Sequence, residues 1–142
     1  MEKLKELLSR KFLFLGVGNP ERGDDGIGLI VVSRLSTENK LDCGPVPENF
    51  TGKIRRMGPE VIIMVDAVDF GGNPGDITLS EAEKVEGLTL TTHSMPFSVF
   101  CRMLPESEIY LLGVQPKDFS SMSGEIRLAG EKLAEEINKL LI

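Results

Sequence analysis

Three loops of this 142-residue chain offer side chains that could together grip a cation or move a proton: Asp25, Asp66 and His93. His93 is the sole histidine, so any chemistry that needs an imidazole must use it. It lies in Thr91-Thr92-His93-Ser94-Met95-Pro96, a polar loop just ahead of a predicted helix. Asp66 ends the continuously apolar run Val61-Ile62-Ile63-Met64-Val65. A carboxylate at the end of a buried strand is costly to desolvate unless it faces a solvated mouth or gains partners. Asp25 belongs to an adjacent pair in Gly16-Val17-Gly18-Asn19-Pro20-Glu21-Arg22-Gly23-Asp24-Asp25-Gly26-Ile27-Gly28. Neighbouring helix residues project about 100° apart, so Asp24 and Asp25 cannot meet one point. Asp24, nearer the loop, is expected to cap the following helix, leaving Asp25 to face the crevice. Asp69, directly before a glycine cluster, is expected to shape a turn.

Two hard carboxylate oxygens and one borderline imidazole nitrogen suit a divalent transition metal such as nickel or zinc. With three protein ligands, positions stay open for water or substrate, so such a site can polarise a carbonyl or activate a bound water. It can equally read a metal already held by a partner. The blander readings are an Asx-turn at Asp66, helix–strand packing at Gly26 and Gly28, and a surface histidine. Competing site chemistries fit less well. A dinucleotide-binding loop needs its third glycine three residues after the second, and Glu21 occupies that position. Two aspartates at the helix start would also repel a pyrophosphate. No Gly-x-Ser-x-Gly elbow is present. Neither Cys43 nor Cys101 neighbours the histidine in sequence, which gives thiol catalysis little support. Their separation is neither a zinc-ribbon spacing nor a disulfide framework. Cys101 shares a helical face with Phe97, Phe100 and Leu104 and reads as core.

The elements that must position these groups alternate. A short helix is predicted over residues 2–10, a strand over 12–17 and a helix over 25–36. A short strand follows over 40–43, then a helix from Pro47 to Arg56, broken by Gly58-Pro59. Residues 61–65 read as a central strand covered on both faces. Residues 76–79 read as a shorter strand towards an edge. A helix over 96–104, a strand over 109–114 and a helix over 123–141 complete the series. The last helix carries Ile126, Ala129, Leu133, Ile137, Leu140 and Leu141 as an apolar stripe. Strand–helix alternation implies an α/β domain spanning residues 1–142, with a mostly parallel sheet and helices on both faces. In such sheets, loops leaving the carboxyl ends of strands build the site.

Composition agrees: 41% apolar and 27% charged residues fit a globular domain with a proper core. No apolar run approaches the roughly 20 residues of a membrane span, and the N-terminus lacks a signal peptide's apolar core. The expectation is a cytoplasmic protein without membrane insertion. Net charge is −6 with both signs interspersed, which argues against a nucleic-acid surface.

Together these segments resemble the hydrogenase maturation endopeptidases, which process the large subunit of nickel–iron hydrogenases. The matching stretches are Gly16-Val17-Gly18-Asn19 with Gly23-Asp24-Asp25-Gly26-x-Gly28, Val65-Asp66-Ala67-x-Asp69 with Pro74-Gly75, Thr92-His93-x-x-Pro96, and Gly113-Val114-Gln115-Pro116. The Thr-Thr-His-x-Met-Pro and Gly-Val-Gln-Pro forms resemble the branch serving formate-hydrogenlyase-type hydrogenases. The resemblance implies a three-layer α/β/α sandwich around a five-stranded sheet. It implies removal of a C-terminal extension from the large-subunit precursor once nickel is inserted. The family's metal-contacting and catalytic positions fall on Asp25, Asp66 and His93. The nickel is implied to be the substrate's own, used as a recognition mark, with zinc or another divalent ion able to substitute. The implied partner is the precursor, met by a monomer. Metal-directed hydrolysis and an aspartic-type mechanism through Asp25 or Asp66 both remain open. So does a non-catalytic chaperone that only inspects nickel occupancy, since the same three side chains serve it. Gln115 either contacts substrate or braces its turn. One departure is Asp42-Cys43-Gly44, where many relatives have Asp-Gly-Gly; Gly44 is expected to supply a left-handed bend bordering the substrate.

Overall fold

The computed structural model describes residues 1–81 and 96–142, with the backbone alone of residues 89 and 90. Its strands are β1 (Phe12–Val17), β2 (Lys40–Gly44), β3 (Val61–Asp69), β4 (Ile77–Glu81), β5 (Thr89–Leu90) and β6 (Glu108–Val114). Its α-helices are α1 (Glu2–Leu7), α2 (Ile27–Ser33), α3 (Thr51–Met57), α4 (Phe97–Arg102) and α5 (Gly124–Leu140). Five strands form one path in the order β2-β1-β3-β6-β4, and β5 pairs with β3 off that path. β2, β1, β3 and β6 run parallel, and β4 closes one edge antiparallel to β6. The mostly parallel five-stranded sheet is therefore the expected one, with a two-residue addition.

Covering on both faces explains the apolar runs. Along β3, Val61, Ile63, Val65 and Ala67 enter one cluster with Ile27 and Val31 of α2 and Leu133 and Ile137 of α5. Ile62, Met64 and Val68 enter the other, with Ile54 of α3 and Phe97 and Phe100 of α4. Side chains alternate across a strand, so a continuous hydrophobic run is what a doubly covered strand requires. The layers are α1, α2 and α5 on one face, and α3 and α4 on the other.

Several boundaries differ from expectation: α1 ends at Leu7 rather than at residue 10, α2 at Ser33 rather than 36, α4 at Arg102 rather than 104, and β4 runs on to Glu81. Four further differences have a local reason. The helix anticipated over 25–36 is a 3-10 turn at Gly23–Gly26 followed by α2, which starts only at Ile27. Gly26 has φ −83° and ψ 1°, outside helical geometry. β3 does not stop before Asp66 but runs to Asp69, because Val68 and Asp69 pair with Leu90 and Thr89 of β5. Pro96 caps α4 rather than occupying its first turn. The helix anticipated from Pro47 opens with a 3-10 turn, Pro47–Phe50, before α3.

Candidate active site at the ends of β1 and β3

β1 leads outward through α2 to β2, and the chain then returns past β1 through α3 to β3. The strand order reverses between β1 and β3, and the crevice at such a switch point is where open α/β sheets bind ligands. Asp25 lies on the loop leaving β1, and Asp66 lies near the carboxyl end of β3. Gly16 of β1 pairs with Val65, the residue before Asp66. The two acids, 41 positions apart in sequence, are thus carried to the same end of adjacent strands.

A close approach of backbones makes this possible. A Cβ added to Gly28 would come within 2.2 Å of the Val65 carbonyl oxygen and 2.5 Å of that of Val17. Only glycine lets the start of α2 sit down on the ends of both strands. The packing reading of this glycine is correct, and that packing is what seats the Asp25 turn over β3.

Both carboxylates are fully buried. Asp25 Oδ2 accepts a hydrogen bond from the Asn19 amide at 3.1 Å. Asp66 Oδ1 accepts one from the Ala67 amide at 2.8 Å. Asp66 therefore is not the loop-capping Asx-turn that its position suggested; it sits inside a strand, paired in register with Gly113 of β6. His93 lies outside the described residues. Among the described residues, no group of three His, Cys, Asp or Glu side chains is placed to hold a metal ion. The flanks of the histidine segment are placed: Leu90 pairs with Val68, two residues beyond Asp66, and Phe97 is buried in the cluster that holds Met64 and Val68.

Asp24 takes a role the sequence did not suggest. It does not cap α2, whose N-cap is Gly26 with no side-chain cap bond. Its carboxylate reaches instead to the segment after β6, accepting from the amides of Lys117, Asp118 and Ser123 and from the Ser123 hydroxyl. Sequence offers no local signal for this, because the donors lie 93 to 99 positions away. Asp69 keeps the turn role read for it, accepting at Oδ1 from the Gly71 amide and from the Gln115 side-chain amide, each at 3.1 Å. Gln115 braces this turn, its Oε1 accepting from Phe70 at 2.9 Å and Gly72 at 3.1 Å. Gly44 supplies the anticipated left-handed bend, with φ +58° and open space where a side chain would project.

Comparison with known proteins decides the family. The model of the HycI hydrogenase maturation protease family matches residues 33–141. The hydrogenase 3 maturation protease of Escherichia coli K12 is 36% identical over 112 residues, covering 73% of this chain and 72% of that protein. The crystal structure of a NiFe hydrogenase maturation protease HycI from Thermococcus kodakarensis KOD1 superposes with a TM-score of 0.82 at 32% identity, covering 98% of both chains. This chain belongs to the hydrogenase maturation protease family. The solution structure of the endopeptidase HycI from E. coli is similar in the same way, with a TM-score of 0.80 at 30% identity over 91% of this chain and 90% of that one.

As a hydrogenase maturation protease the protein is a peptide hydrolase, and its thiols fit no nucleophile's part in that. Cys43 is packed in the core cluster beside Leu15 and Ile54, and burial pushes its thiol up to about 12. Cys101 is half-buried against the same cluster, and burial pushes it up to about 11. A thiol is nucleophilic as thiolate, and both are protonated near neutral pH. The matched family span begins after Asp25, but the T. kodakarensis protease covers nearly the whole chain and so extends the likeness over the β1–α2 loop.

Proposed function

We propose that this hydrogenase maturation protease is an endopeptidase that removes the C-terminal extension of a nickel-loaded nickel–iron hydrogenase large-subunit precursor. The observation that carries this reading is the pair of buried carboxylates, Asp25 and Asp66, at the switch point of a HycI-type fold. Burying carboxylates is costly unless they gain partners, and two of them brought to a ligand-binding crevice supply hard oxygen donors suited to a divalent cation. The cation is the precursor's nickel, which is substrate rather than resident cofactor. Asp25, Asp66 and His93 complete its coordination when the precursor docks, and zinc or another divalent ion can stand in. Gly44 and the turn braced by Gln115 border the docked chain.

Docking fixes the scissile amide beside the cation, so that attack becomes effectively intramolecular. A water loses a proton to a carboxylate, and its oxygen bonds to the amide carbon. The C–N bond then breaks, and the leaving amine takes the proton. In this scheme Asp25 or Asp66 is the base, which makes the enzyme aspartic in type while the nickel serves as the recognition mark. The reaction is placed in the cytoplasm, carried out by a monomer. Among the described residues, no helix is long and apolar enough to cross a membrane.

The test uses purified precursor with and without nickel, read by mass spectrometry. Nickel-loaded precursor should be shortened and nickel-free precursor left intact. Asp66→Asn and His93→Ala should each slow shortening at least about 1,000-fold, the scale seen when a charge-stabilising or acid–base group is removed. A wild-type protein that binds the loaded precursor without ever shortening it is a chaperone, and the proposal then fails.

A further inference from the structure

Asp24 is fully buried, and its carboxylate is met by four donors of its own chain. The amides of Lys117, Asp118 and Ser123 approach at 2.8, 2.7 and 2.6 Å, and the Ser123 hydroxyl at 2.9 Å. In return the Asp24 amide donates to the Asp118 carbonyl at 2.9 Å. Ser123 is the N-cap of the 17-residue α5, so the anion also sits at the positive end of that helix dipole. The contact is close on the backbone side too. A Cβ on Gly23 would lie 2.7 Å from the Ser121 carbonyl oxygen and 2.8 Å from that of Asp118.

A buried carboxylate is expensive and is retained where it fixes something. What this one fixes is the 3-10 turn Gly23–Gly26, whose next residue is Asp25. We propose that Asp24 is a positioning residue of the protease reaction: by fastening the Gly23–Gly26 turn to residues 117–123, it sets where the Asp25 carboxylate sits. This rests on the reading of Asp25 as a site carboxylate. Asp25 is then held from two sides. Its turn is pinned outward by Asp24, and its Oδ2 is met inward by the Asn19 amide. Loss of the outer pin lets the turn drift, and a drift of about 1 Å at a reacting group can cost 100-fold in rate.

Asp24→Asn keeps the size of the side chain but turns an amide N–H towards donors. It should lower kcat for the nickel-loaded precursor by about 100-fold with KM within about twofold, because docking surfaces elsewhere are untouched. The Asn19 amide reports Asp25 without any turnover. By hydrogen exchange, Asn19 should lose about tenfold more protection in the variant than the amides of Val61–Val65, whose own loss reports the global destabilisation. A variant that merely unfolds more often would speed all of these together. Ser123→Ala removes one donor and leaves the other three; it should lower kcat about threefold, and it provides the same readouts if Asp24→Asn does not fold. Unchanged Asn19 exchange, or unchanged kcat, in the folded variant overturns the proposal. If the wild-type protein itself fails to shorten the precursor, the proposed function falls, while the Asn19 exchange still decides whether Asp24 places Asp25.

Discussion

Two loops border the candidate site, and the segment after β6 holds both, by opposite means. On the β1–α2 side the loop sends a charged group outward: Asp24 reaches across to the amides of Lys117, Asp118 and Ser123. On the β3–β4 side the segment sends a neutral group inward: Gln115 receives the amides of Phe70 and Gly72 and donates to Asp69. The Gln115 backbone is tied as well, its amide to the Asp76 carbonyl and its carbonyl to the Gly75 amide. The difference lies in what happens when each brace is cut. A neutral amide leaves behind groups that water or a shifted turn can satisfy. A buried carboxylate is bound by stronger, charge-assisted hydrogen bonds, and its loss strands several buried donors together. The charged brace stands beside Asp25, one residue away, and the neutral one stands three residues beyond Asp66.

Stability measurements break the comparison if they reverse its order. Asp24→Asn should destabilise by about 3 kcal/mol, from hydrogen bonds to a charged group exchanged for facing donors. Gln115→Ala should cost about 1–2 kcal/mol, since its turn keeps the Gly75 and Asp76 backbone ties. Urea denaturation of both variants, with equal slopes, is the check. A Gln115 variant less stable than the Asp24 variant would mean that the β3–β4 turn, not the charged clamp, is the stiffer support.

The same contrast explains what the sequence could and could not disclose. The central strands and the sheet class were legible, because burial on both faces writes continuous apolar runs that need no tertiary knowledge. Asp69 and Gly44 were legible for a similar reason: an aspartate before glycines, and a glycine after a strand, act on their immediate neighbours. The end of β3 was not, because β5, a strand of two residues, extends it by pairing across 20 to 22 positions of chain. Asp24 was misread for the same reason. A carboxylate just before a helix is ordinarily that helix's cap, and nothing nearby announces that its donors follow the last strand. Convergence of Asp25 with Asp66 followed from topology, while the place of His93 lies outside the described residues and rests on the family resemblance.

The smallest effect sharpens the charged side of the comparison at a single exposed group. Asp118 gives its amide to Asp24, and its own carboxylate turns back on the chain, accepting from the Ser120 amide and hydroxyl, both at 2.8 Å. Those two bonds, the amide first, hold its carboxyl below the ordinary aspartate range. A carboxyl whose folded pKa is depressed adds stability above its unfolded value, and that contribution is lost as pH falls through the folded value. Ser120→Ala removes the hydroxyl and keeps the amide, so the Asp118 pKa should rise part of the way towards normal, followed by side-chain carboxyl NMR titration. Because the group is exposed, solvent screens it and the stability change should be slight. It should be confined to pH above the Asp118 titration and vanish below it. If the Asp118 pKa does not move, the hydroxyl bond is not made in solution. The Asp24 clamp would then be fastened to a looser segment than its hydrogen bonds require, and the gap between the two braces would narrow.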